Sequence, residues 1–537
     1  MGVKEIIDEG RTAIGIEFGS TRIKAVMIDE SGAVLAQGGH TWENQHIDGI
    51  WTYSLEMIWS GLQGAYAELR ENVKKEYGTD IKKTGAIGFS AMMHGYMPFD
   101  KDGELLVPFR TWRNTITAEA SQQLTKEFDF NIPQRWSIAH LHQAILNNEE
   151  HIKDVAYLTT LAGYIHWKLS GEKVLGVGDA SGMFPIDSKT NDYNLQYLEK
   201  YDKIIESYDL GWKLQDILPK VLVAGESAGK LTAEGAALLD PSGALEAGIP
   251  MCPPEGDAGT GMVATNSVAV RTGNVSAGTS IFIMVVLENA LKKMHEELDV
   301  VTTPDGKDVA MVHCNNCTSD INAWINIFDE FLDVMGYQVD KGVIYEKLFN
   351  LALKGSADCG GLAGFNYFSG EPITGFTSGR PVFIRDADAD FSLANFMRLH
   401  LYSAVSTLKV GLDILLKEED VKVEKLYGHG GFFKTKGVGQ NIMSAATGGP
   451  VTVMETAGEG GAWGMGVLAL YLMDKSKEGS DDKTLSQFLS DRIFAGNDGI
   501  TVTAPEDEMI GFNRFMETFK KTIPVEKAAV LAFEKKD

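Results

Sequence analysis

The chain has 537 residues, of which 44% are apolar and only 15 are proline, and its formal net charge is −25. This length exceeds what one hydrophobic core usually serves, so it predicts two domains. The acidic excess argues against a nucleic-acid or anionic-membrane binder, because such proteins neutralise phosphates with Lys and Arg. It leaves a nucleotide substrate open, since backbone N–H groups, a lysine and a metal ion can hold a phosphate locally.

Neither the apolar stretches nor the opening residues suggest a membrane span or a signal for export. No stretch approaches the roughly 18 unbroken apolar residues that a membrane-spanning helix needs. The opening MGVKEIIDEGR lacks the apolar segment of a signal peptide. Four cysteines are few, and the lone pair Cys314 and Cys317 lacks the further ligands typical of structural zinc. We therefore expect reduced thiols and a cytoplasmic protein without nucleic-acid or membrane partners.

The first 100 residues predict a β-meander followed by a helix and a further strand. Apolar runs predict strands at 13–18, 23–29 and 33–42. An apolar face recurring at helical spacing predicts a long helix from about Leu55 to Tyr77. A strand at 84–93 leads into a loop, and residues 115–220 have a mainly helical pattern.

The segment 271–289 repeats the opening of the chain about half a chain later. In both copies an apolar strand meets a Gly-Ser/Thr turn and then a second apolar strand. The turns are Gly19-Ser20-Thr21, called the first turn below, and Gly278-Thr279-Ser280, called the second turn. One such hairpin is common, but two at equivalent places indicate duplicated domains.

A third glycine-rich region lies at 427–440 and 455–473, where Gly458 and Gly460 precede an apolar helix. A glycine-rich loop before a helix start suits close approach to a nucleotide, and tight packing of helix on strand explains it equally well. A polar linker is predicted at 474–483, a strand at 500–505 and a helix at 506–521.

The residues needed for phosphoryl transfer are present, although the G-x-x-x-x-G-K-[ST] loop is absent. Positioning and charge neutralisation dominate this chemistry. The first turn with Lys24 and the second turn each offer N–H groups and hydroxyls to phosphates. Glu17 is a candidate ligand for Mg²⁺, directly or through water.

Asp257 is the candidate general base, with Glu255 as its nearest rival. It stands in the Pro- and Gly-rich stretch GIPMCPPEGDAGTGM, where an ionised carboxylate can accept a proton from an attacking hydroxyl. The alternative is an aspartate that only caps a turn or a helix. The position of Asp257 in the sequence between the first and second turns favours a catalytic role.

Sugar-binding groups are expected in the segments 90–100 and 111–114. His94, Trp112, Arg113 and Asn114 combine an aromatic face with polar donors, as sugar sites often do. His94 is as compatible with a core histidine, Trp112 with partial burial, and the nearby methionines with packing.

The order and spacing of these segments resemble the FGGY carbohydrate kinases over residues 13 to 520. IGIEFGSTRIKAVMID is similar to the family's first phosphate motif, SAGTS to its second, EGDAGT to its catalytic segment and GFNYFSGEPI to its Y-x-x-G-E block. IGFSAMMHGYMPFD is similar to a xylulokinase segment, which adds Met93 to the substrate candidates. Residues 428–469 resemble the adenosine-binding block, and this adds six nucleotide candidates: Gly430, Gly431, Gln440, Gly458, Glu459 and Gly460.

The resemblance implies an α/β fold of two RNase-H-like domains, of the actin, hexokinase and Hsp70 class, with MgATP and sugar in the cleft between them. The expected boundaries are 1–250, 251–475 and a C-terminal linker and tail at 476–537. The implied reaction is ATP-dependent phosphorylation of a terminal hydroxyl of a small ketose, catalysed by Asp257. L-ribulose and D-xylulose, substrates of pentose catabolism, both stay open, as does a homodimer.

Four departures from the family pattern bear on the metal and sugar sites. Glu17 stands where the family usually has Asp, and Ala91-Met92 stands where xylulokinases have Gly-Gln. Asn114 and Ile116 replace a frequent Asp and Arg. Two other functions stay open: a non-sugar ATPase of the actin/Hsp70 fold class, which the fold alone does not exclude, and a sugar-binding regulator without catalysis, against which the retained Asp257 argues.

Overall fold

The computed structural model describes residues 2–454, 460–477 and 482–533. The chain forms two compact units, each built from discontinuous segments. Unit 1 comprises Met1–Val268, Lys293–Val309 and Glu459–Gly496, and unit 2 comprises Ala269–Lys292, Ala310–Gly458 and Asn497–Asp537.

Unit 1 is an α/β structure with one five-stranded sheet and several two-stranded pairs. Its helices are Val3–Asp8, Leu55–Tyr77, Ala118–Phe128, Ser137–Leu146, Leu161–Ser170, Val177–Ala180, Leu195–Ile205, Leu214–Ile217, Ala233–Leu239, Asp257–Ala264, Gly460–Lys475 and Leu485–Phe488. Its strands are Thr12–Phe18, Arg22–Asp29, Val34–Thr41, Gln45–Ile47, Ile50–Thr52, Ala86–Ala91, Met97–Phe99, Tyr157–Thr159, Val174–Gly176, Ile186–Asp187, Asp192–Tyr193, Lys220–Leu222, Glu255–Gly256 and Asp299–Thr302.

The sheet of unit 1 joins a meander to parallel strands. Its order is Glu255–Gly256, Ala86–Ala91, Thr12–Phe18, Arg22–Asp29, Val34–Thr41. Numbered along the chain, the first three strands form the meander and pair antiparallel. The first strand, Thr12–Phe18, pairs parallel with the fourth, Ala86–Ala91, which pairs parallel with the fifth, Glu255–Gly256. The carboxyl ends of three parallel strands therefore meet at one edge of the sheet, which is where Glu17 and Asp257 occur.

The helix Leu55–Tyr77 has the bounds that the periodicity of its apolar residues predicts. Ser54 accepts a hydrogen bond from the N–H of Met57, and Gly78 ends the helix with φ +66°. The apolar face at Ile58, Leu62 and their i+3/i+4 successors is buried against the sheet. Local caps and a buried stripe thus fix both ends and the orientation of this helix.

Unit 2 contains a second mixed sheet and a long central helix. Its helices are Ser319–Val334, Lys341–Ala352, Leu393–Asp413, Val438–Thr447 and Glu506–Ala532. Its strands are Thr272–Ala277, Ile281–Val286, Asp308–Cys314, Leu362–Asn366, Pro381–Arg385, Lys425–His429, Val451–Val453 and Ile500–Val502. Asp308–Cys314 begins two residues before the division between the units.

The two sheets share one strand order, which confirms the duplication read from the sequence. In unit 2, Thr272–Ala277 pairs antiparallel with Ile281–Val286 and parallel with Lys425–His429, which pairs parallel with Val451–Val453. Unit 1 pairs its first, second, fourth and fifth strands in the same way. Ile500–Val502 adds an antiparallel edge strand to unit 2.

One segment, Leu393–Glu418, is long and apolar enough to cross a membrane by length and composition. It comprises the central helix of unit 2 and the turn that continues it, and 72% of its most apolar window is buried inside the protein. A helix covered on all sides is apolar all round, so its composition reflects a core position.

Several boundaries differ from the sequence-based expectations. Domain limits at 250 and 475 do not match the division between the units, because Glu255–Gly256 completes the sheet of unit 1 and Gly460–Lys475 packs across that sheet. Residues 497–533 belong with unit 2, and the helix expected to end at 521 continues to Ala532. Residues 478–481 of the predicted linker lie outside the described residues.

Glycine is required where the helix Gly460–Lys475 crosses the sheet and the helix Asp257–Ala264. A Cβ at Gly15 would lie 2.1 Å from the carbonyl oxygen of Ala462, and one at Gly464 would lie 2.1 Å from that of Thr260. Both contacts are to backbone, which a rotamer change cannot relieve. Gly464, in the glycine-rich segment 455–473, is therefore explained by helix packing and not by contact with a nucleotide.

We predict opposite effects for two helix glycines in unit 1. Gly464→Ala should lower the free energy of unfolding by about 1–3 kcal/mol, because the helices must separate to accept the methyl group. Gly261→Ala is the matched control: nothing lies within 4 Å of its Cβ position. Alanine should there stabilise by up to about 1 kcal/mol through helix propensity. Urea unfolding of both variants measures this, and equal effects would contradict the close helix contact.

Candidate active site

The first turn connects the strands Thr12–Phe18 and Arg22–Asp29, and the protein holds all three of its carbonyl oxygens. Trp42 Nε1 donates to the oxygen of Gly19 at 2.7 Å, and the hydroxyl of Tyr53 donates to that of Ser20 at 2.6 Å. The oxygen of Thr21 accepts from the N–H of Trp42 at 3.1 Å. Trp42 and Tyr53 stack with ring centroids 4.0 Å apart, so the two donors support each other.

The N–H groups of this turn are used differently from its carbonyls. That of Gly19 donates within the turn, to the oxygen of Arg22. Within the described part of the chain, the N–H groups of Ser20 and Thr21 have no partner. A turn whose carbonyls are held by protein and whose N–H groups are unpaired is suited to binding an anion.

Glu17 ends the first strand and lies against the start of the helix Gly460–Lys475. A Cβ at Gly461 would lie 2.1 Å from Glu17 Oε1, so only glycine lets the carboxylate approach this closely. Burial and the charge of Asp257 raise the pKa of Glu17 to about 7, opposed by a hydrogen bond from the backbone of Ala462 and by Lys24. Two carboxylates that repel each other in this way would both gain from a bound cation.

Asp257 is the first residue of the helix Asp257–Ala264, not a loop residue as expected. Its Oδ1 accepts from the N–H of Met93 at 3.1 Å and from that of Ala258 at 3.0 Å. The helix-capping alternative is therefore realised in part, and the side chain is nevertheless exposed to solvent. Desolvation by the surrounding protein raises the pKa of Asp257 above its ordinary value, despite these hydrogen bonds.

Glu255, the rival candidate base, is buried and structural. Its carboxylate accepts from the N–H groups of Gly178 and Asp179 at 3.3 and 3.0 Å. Burial, reinforced by Asp179, raises its pKa to about 8. With 1% of its surface exposed, Glu255 has no access to a substrate, whereas Asp257 has.

Asp179 is a buried carboxyl that no pattern in the sequence singles out. Its Oδ2 accepts from the hydroxyl of Thr160 at 2.6 Å, while Oδ1 has no hydrogen-bond partner. Burial raises its pKa to about 7, and Asp257 contributes to the rise. Asp179 lies far along the chain in a four-residue helix, so no sequence spacing connects it to Asp257.

His94 and Met93 lie directly beside the candidate base. Both are buried, and Met93 binds Asp257 through its backbone, not its side chain. His94 has φ +69°, its Nδ1 lies 3.1 Å from the oxygen of Gly182, and its ring stacks on Trp136. A positive φ in a non-glycine residue is uncommon and concentrates at functional sites.

The segment 112–114 divides into exposed and buried side chains. Trp112 is 38% exposed, with Nε1 3.4 Å from Ser20 Oγ, and exposed Arg113 lies 3.8 Å over the ring of Trp51. Asn114 is 2% exposed and exchanges two hydrogen bonds of 2.9 Å with the backbone of Trp51. The structure does not support Asn114 as a substrate ligand, because its amide holds the fold.

The second turn, in unit 2, shows the same arrangement as the first. The oxygen of Gly278 accepts from the N–H and the hydroxyl of Thr318, at 3.0 and 2.8 Å. The oxygen of Thr279 accepts from the N–H of Cys317 at 2.9 Å, and that of Ser280 from Gly278. Among the described residues, the N–H groups of Thr279 and Ser280 are unpaired.

A cavity of about 860 Å³ opens in unit 2 beside the glycine-rich segment 430–436. Its lining includes three aromatic rings, two amides and three lysines: Tyr345, Phe349, Phe432, Asn322, Asn350, Lys341, Lys434 and Lys436. Gly431 also lines it. Gly430 has φ +98°, and a Cβ there would lie 2.4 Å from the oxygen of Ala277, directly before the second turn. This volume and mixed lining suit a small molecule.

The remaining nucleotide candidates have separate outcomes. Gln440 is 3% exposed, and its Nε2 donates to the oxygens of Val451 and Ile500 at 3.1 and 2.6 Å. Its amide therefore ties strand ends together, which does not support nucleotide contact. Gly460 begins its helix near Glu17, in unit 1. Gly458 and Glu459 lie outside the described residues.

Comparisons with known proteins identify both halves of the chain. The model of the FGGY carbohydrate kinase N-terminal domain matches residues 12–263, and that of the C-terminal domain matches 273–473. The chain is 20% identical to "Xylulose kinase" of Haemophilus influenzae, over 83% of this chain and 91% of that one. It is 24% identical to "Glycerol kinase" of Thermococcus gammatolerans, over 55% and 57%.

A solved structure extends the likeness in fold to nearly the whole chain. The ligand-bound xylulose kinase of Lactobacillus acidophilus superposes with TM-score 0.77 at 17% identity, covering 97% of this chain and 100% of that one. The two-domain α/β fold is thus that of these kinases. With both domain models matched in order, the chain belongs to the FGGY family of carbohydrate kinases and is a phosphotransferase enzyme.

Proposed function

We propose that this carbohydrate kinase transfers the terminal phosphoryl group of ATP to a terminal hydroxyl of a small ketose, with Asp257 as the general base. The observation that carries the proposal is the exposed carboxylate of Asp257, fixed by the N–H groups of Met93 and Ala258. A fixed base of raised pKa accepts a proton more readily than an ordinary aspartate.

The chemical step needs one proton transfer and one displacement. Asp257 takes the proton of the sugar hydroxyl as its oxygen attacks the terminal phosphorus, and ADP leaves with the former bridging oxygen. The unpaired N–H groups of the first and second turns bind phosphate oxygens and favour the charge on them. Lys24 adds a positive charge beside the first turn.

The residues of unit 1 fit a magnesium ion, which the family generally uses with ATP. Glu17 offers the hard oxygen atoms that Mg²⁺ prefers, and its pKa is raised first by burial and then by the charge of Asp257, so a bound cation would favour its ionised form. Glu17, directly or through water, would hold the ion, which would neutralise phosphate charge. The longer side chain of Glu17 is accommodated by the absence of a Cβ at Gly461.

The nucleoside is assigned to the cavity of unit 2. Its rings offer stacking surfaces, its amides offer hydrogen bonds to a base, and Lys341 and Lys434 offer charge. Gly430 and Gly431 connect the cavity with the end of the strand that carries the second turn. Gly430 and Gly431 are the proposed nucleotide ligands, whereas the amide of Gln440 is committed to the backbone of Val451 and Ile500.

For the substrate we propose a ketopentose, D-xylulose or L-ribulose. Xylulose kinases recur among the relatives, but glycerol and gluconate kinases share the fold, and identities of 17–24% do not separate them. Exposed Trp112 and Arg113 are the proposed sugar contacts, with His94 and Met93 forming the wall beside Asp257. A cytoplasmic location and any dimer stay predictions.

A substrate panel tests the function. ADP formation is followed by a coupled assay with D-xylulose, L-ribulose, other ketoses, gluconate, glycerol and no sugar. We expect ADP release to depend on a ketopentose. Sugar-independent hydrolysis would instead favour an ATPase of the actin/Hsp70 class, and sugar binding without turnover would favour a regulator.

Asp257→Asn should lower kcat by about 10²–10⁴-fold, the usual contribution of a positioned base. Asparagine can still accept the hydrogen bonds from Met93 and Ala258, so ATP binding and the melting temperature should change little. Asp129→Asn is the matched control: this exposed residue has φ +52°, which asparagine tolerates. Near-normal turnover by Asp257→Asn would remove the base assignment.

Glu17→Gln should stabilise the protein at both pH 5.5 and pH 8, and by more at pH 8. The pKa of Glu17 rises from 4.5 to about 7 on folding, so its ionisation opposes folding. That cost is absent below the unfolded value, grows between pH 4.5 and 7, and is complete above pH 7. Turnover should fall at both pH values.

Urea unfolding at the two pH values, in metal-free buffer, measures this prediction. Glu5→Gln, in an exposed position of the first helix, controls for the loss of one negative charge. Equal stabilisation by the two variants, or a gain confined to pH 5.5, would contradict the buried, repelled state of Glu17.

A further inference from the structure

We propose that Glu371 is a positioning residue for the second turn, acting through the backbone of residues 315–318. The inference rests on the proposed phosphate-binding role of that turn. Two sequence features without a place in the phosphoryl-transfer step form this support, namely the C-x-x-C pair at 314 and 317 and the segment GFNYFSGEPI.

Residues 315–318, called the loop below, hold the second turn by hydrogen bonds to its carbonyl oxygens. Cys317 donates its N–H to the oxygen of Thr279, and Thr318 donates twice to that of Gly278. These bonds determine the orientation of the peptide units in the turn. Rotation of either peptide plane would move the unpaired N–H of Thr279 or Ser280 away from a bound phosphate.

Glu371 in turn fixes the two residues that precede Cys317. Its Oε1 accepts from the N–H of Asn315 at 3.2 Å, and its Oε2 accepts from the N–H and the Nδ2 of Asn316, at 3.2 and 3.0 Å. The side chain is fully buried. A buried carboxylate with three donors aimed at it is held strongly, and those donors are costly to leave unpaired.

Amide side chains join the same two segments on either side of Glu371. Asn366 Nδ2 donates to the oxygen of Cys317 at 2.9 Å, and Asn315 Nδ2 donates to that of Gly370 at 2.8 Å. Asn316 Oδ1 accepts from the N–H groups of Phe368 and Ser369. The loop therefore cannot shift without breaking several bonds at once.

The network is anchored on the rigid core of unit 2. The hydroxyl of Tyr367 lies 2.7 Å from that of Thr407, on the buried helix Leu393–Asp413. The N–H of Glu371 donates to the oxygen of Phe376 at 2.7 Å, which closes a small turn around the carboxylate's own backbone. The helix thus supports Glu371, Glu371 supports the loop, and the loop supports the phosphate turn.

Burial accounts for the chemistry of both side-chain types in this network. It raises the pKa of Glu371 to about 7, opposed by the hydrogen bonds of Asn316 and Asn315. It also raises the pKa of the Cys314 and Cys317 thiols far above their usual range, so these thiols are inert. The C-x-x-C pair contributes backbone geometry and packing to the site.

The test compares Glu371→Gln with Glu526→Gln in the full-length enzyme. Glutamine keeps the shape of Glu371 but turns an NH₂ group towards N–H donors. Glu526 is the matched control: it is another fully buried carboxylate of unit 2, which accepts from the N–H of Arg380 at 2.7 Å and, among the described residues, has no hydrogen bond to the loop. Calorimetry measures the Kd of ATP and of adenosine for each variant.

We expect Glu371→Gln to weaken ATP about tenfold or more, with adenosine unchanged and KM for the sugar within about twofold. Glu526→Gln should leave all three constants unchanged. Equal weakening of ATP and adenosine binding, or no weakening of either, would overturn the proposal. A displaced second turn lowers the affinity for ATP, whose phosphates it binds, and not the affinity for adenosine, which has none.

Two further outcomes are distinguishable. If Glu371→Gln does not fold, Glu371→Asp, which keeps the charge but withdraws it by one methylene, should show the same selective loss of ATP to a smaller extent. An unselective loss in that variant counts against the proposal. If the wild-type enzyme itself binds ATP no better than adenosine, the phosphate role of the turn fails, and with it the function on which this inference depends.

Discussion

The same constraint applies to the first turn and to the second turn. The protein must hold the carbonyl oxygens of the turn so that its N–H groups are oriented to bind an anion. In the first turn, an indole, a phenol and a backbone N–H hold the oxygens. In the second turn, a threonine hydroxyl and backbone N–H groups do so. Successive N–H groups of a turn form an anion-binding concavity when they point to one side, and hydrogen bonds to the carbonyl oxygens hold the peptide units in that orientation. Duplication supplied the same strand–turn–strand hairpin twice, and each unit fixed it with different side chains.

Unit 1 also carries a group of carboxyls whose placement opposes folding. Burial and mutual repulsion raise the pKa of Glu17 and Asp179 to about 7 and of Glu255 to about 8. For each, ionisation is less favourable in the folded state, so stability declines as the pH rises through neutrality. Asp257 adds to this repulsion at both Glu17 and Asp179. Destabilising charges persist where they serve a site, and a divalent cation together with a nucleotide would offset the cost when the substrates bind.

The sequence predicted the elements whose signals are local. The meander, the helix Leu55–Tyr77 and the repeated hairpin follow from periodicity, a serine cap and glycine turns, and the structure confirms all of them. The boundary between the units could not be read, because it depends on which sheet a two-residue strand joins. Asp179, Trp42 and Thr318 were missed for the same reason: they lie up to about 80 residues from the groups that they support, and no spacing in the sequence connects them.

The same distinction decides how much the departures from the family pattern say about the sugar. Asn114 replaces a frequent Asp, but its amide is committed to the backbone of Trp51, so this change concerns the fold. Met92 donates its N–H to the oxygen of Phe18 and is buried, which gives its side chain a packing role. Ile116, in contrast, is 45% exposed close in sequence to the exposed ring of Trp112. Among the departures in the segment 112–116, Ile116 is the exposed one, so the choice of substrate should respond to Ile116 and Trp112 before it responds to position 114.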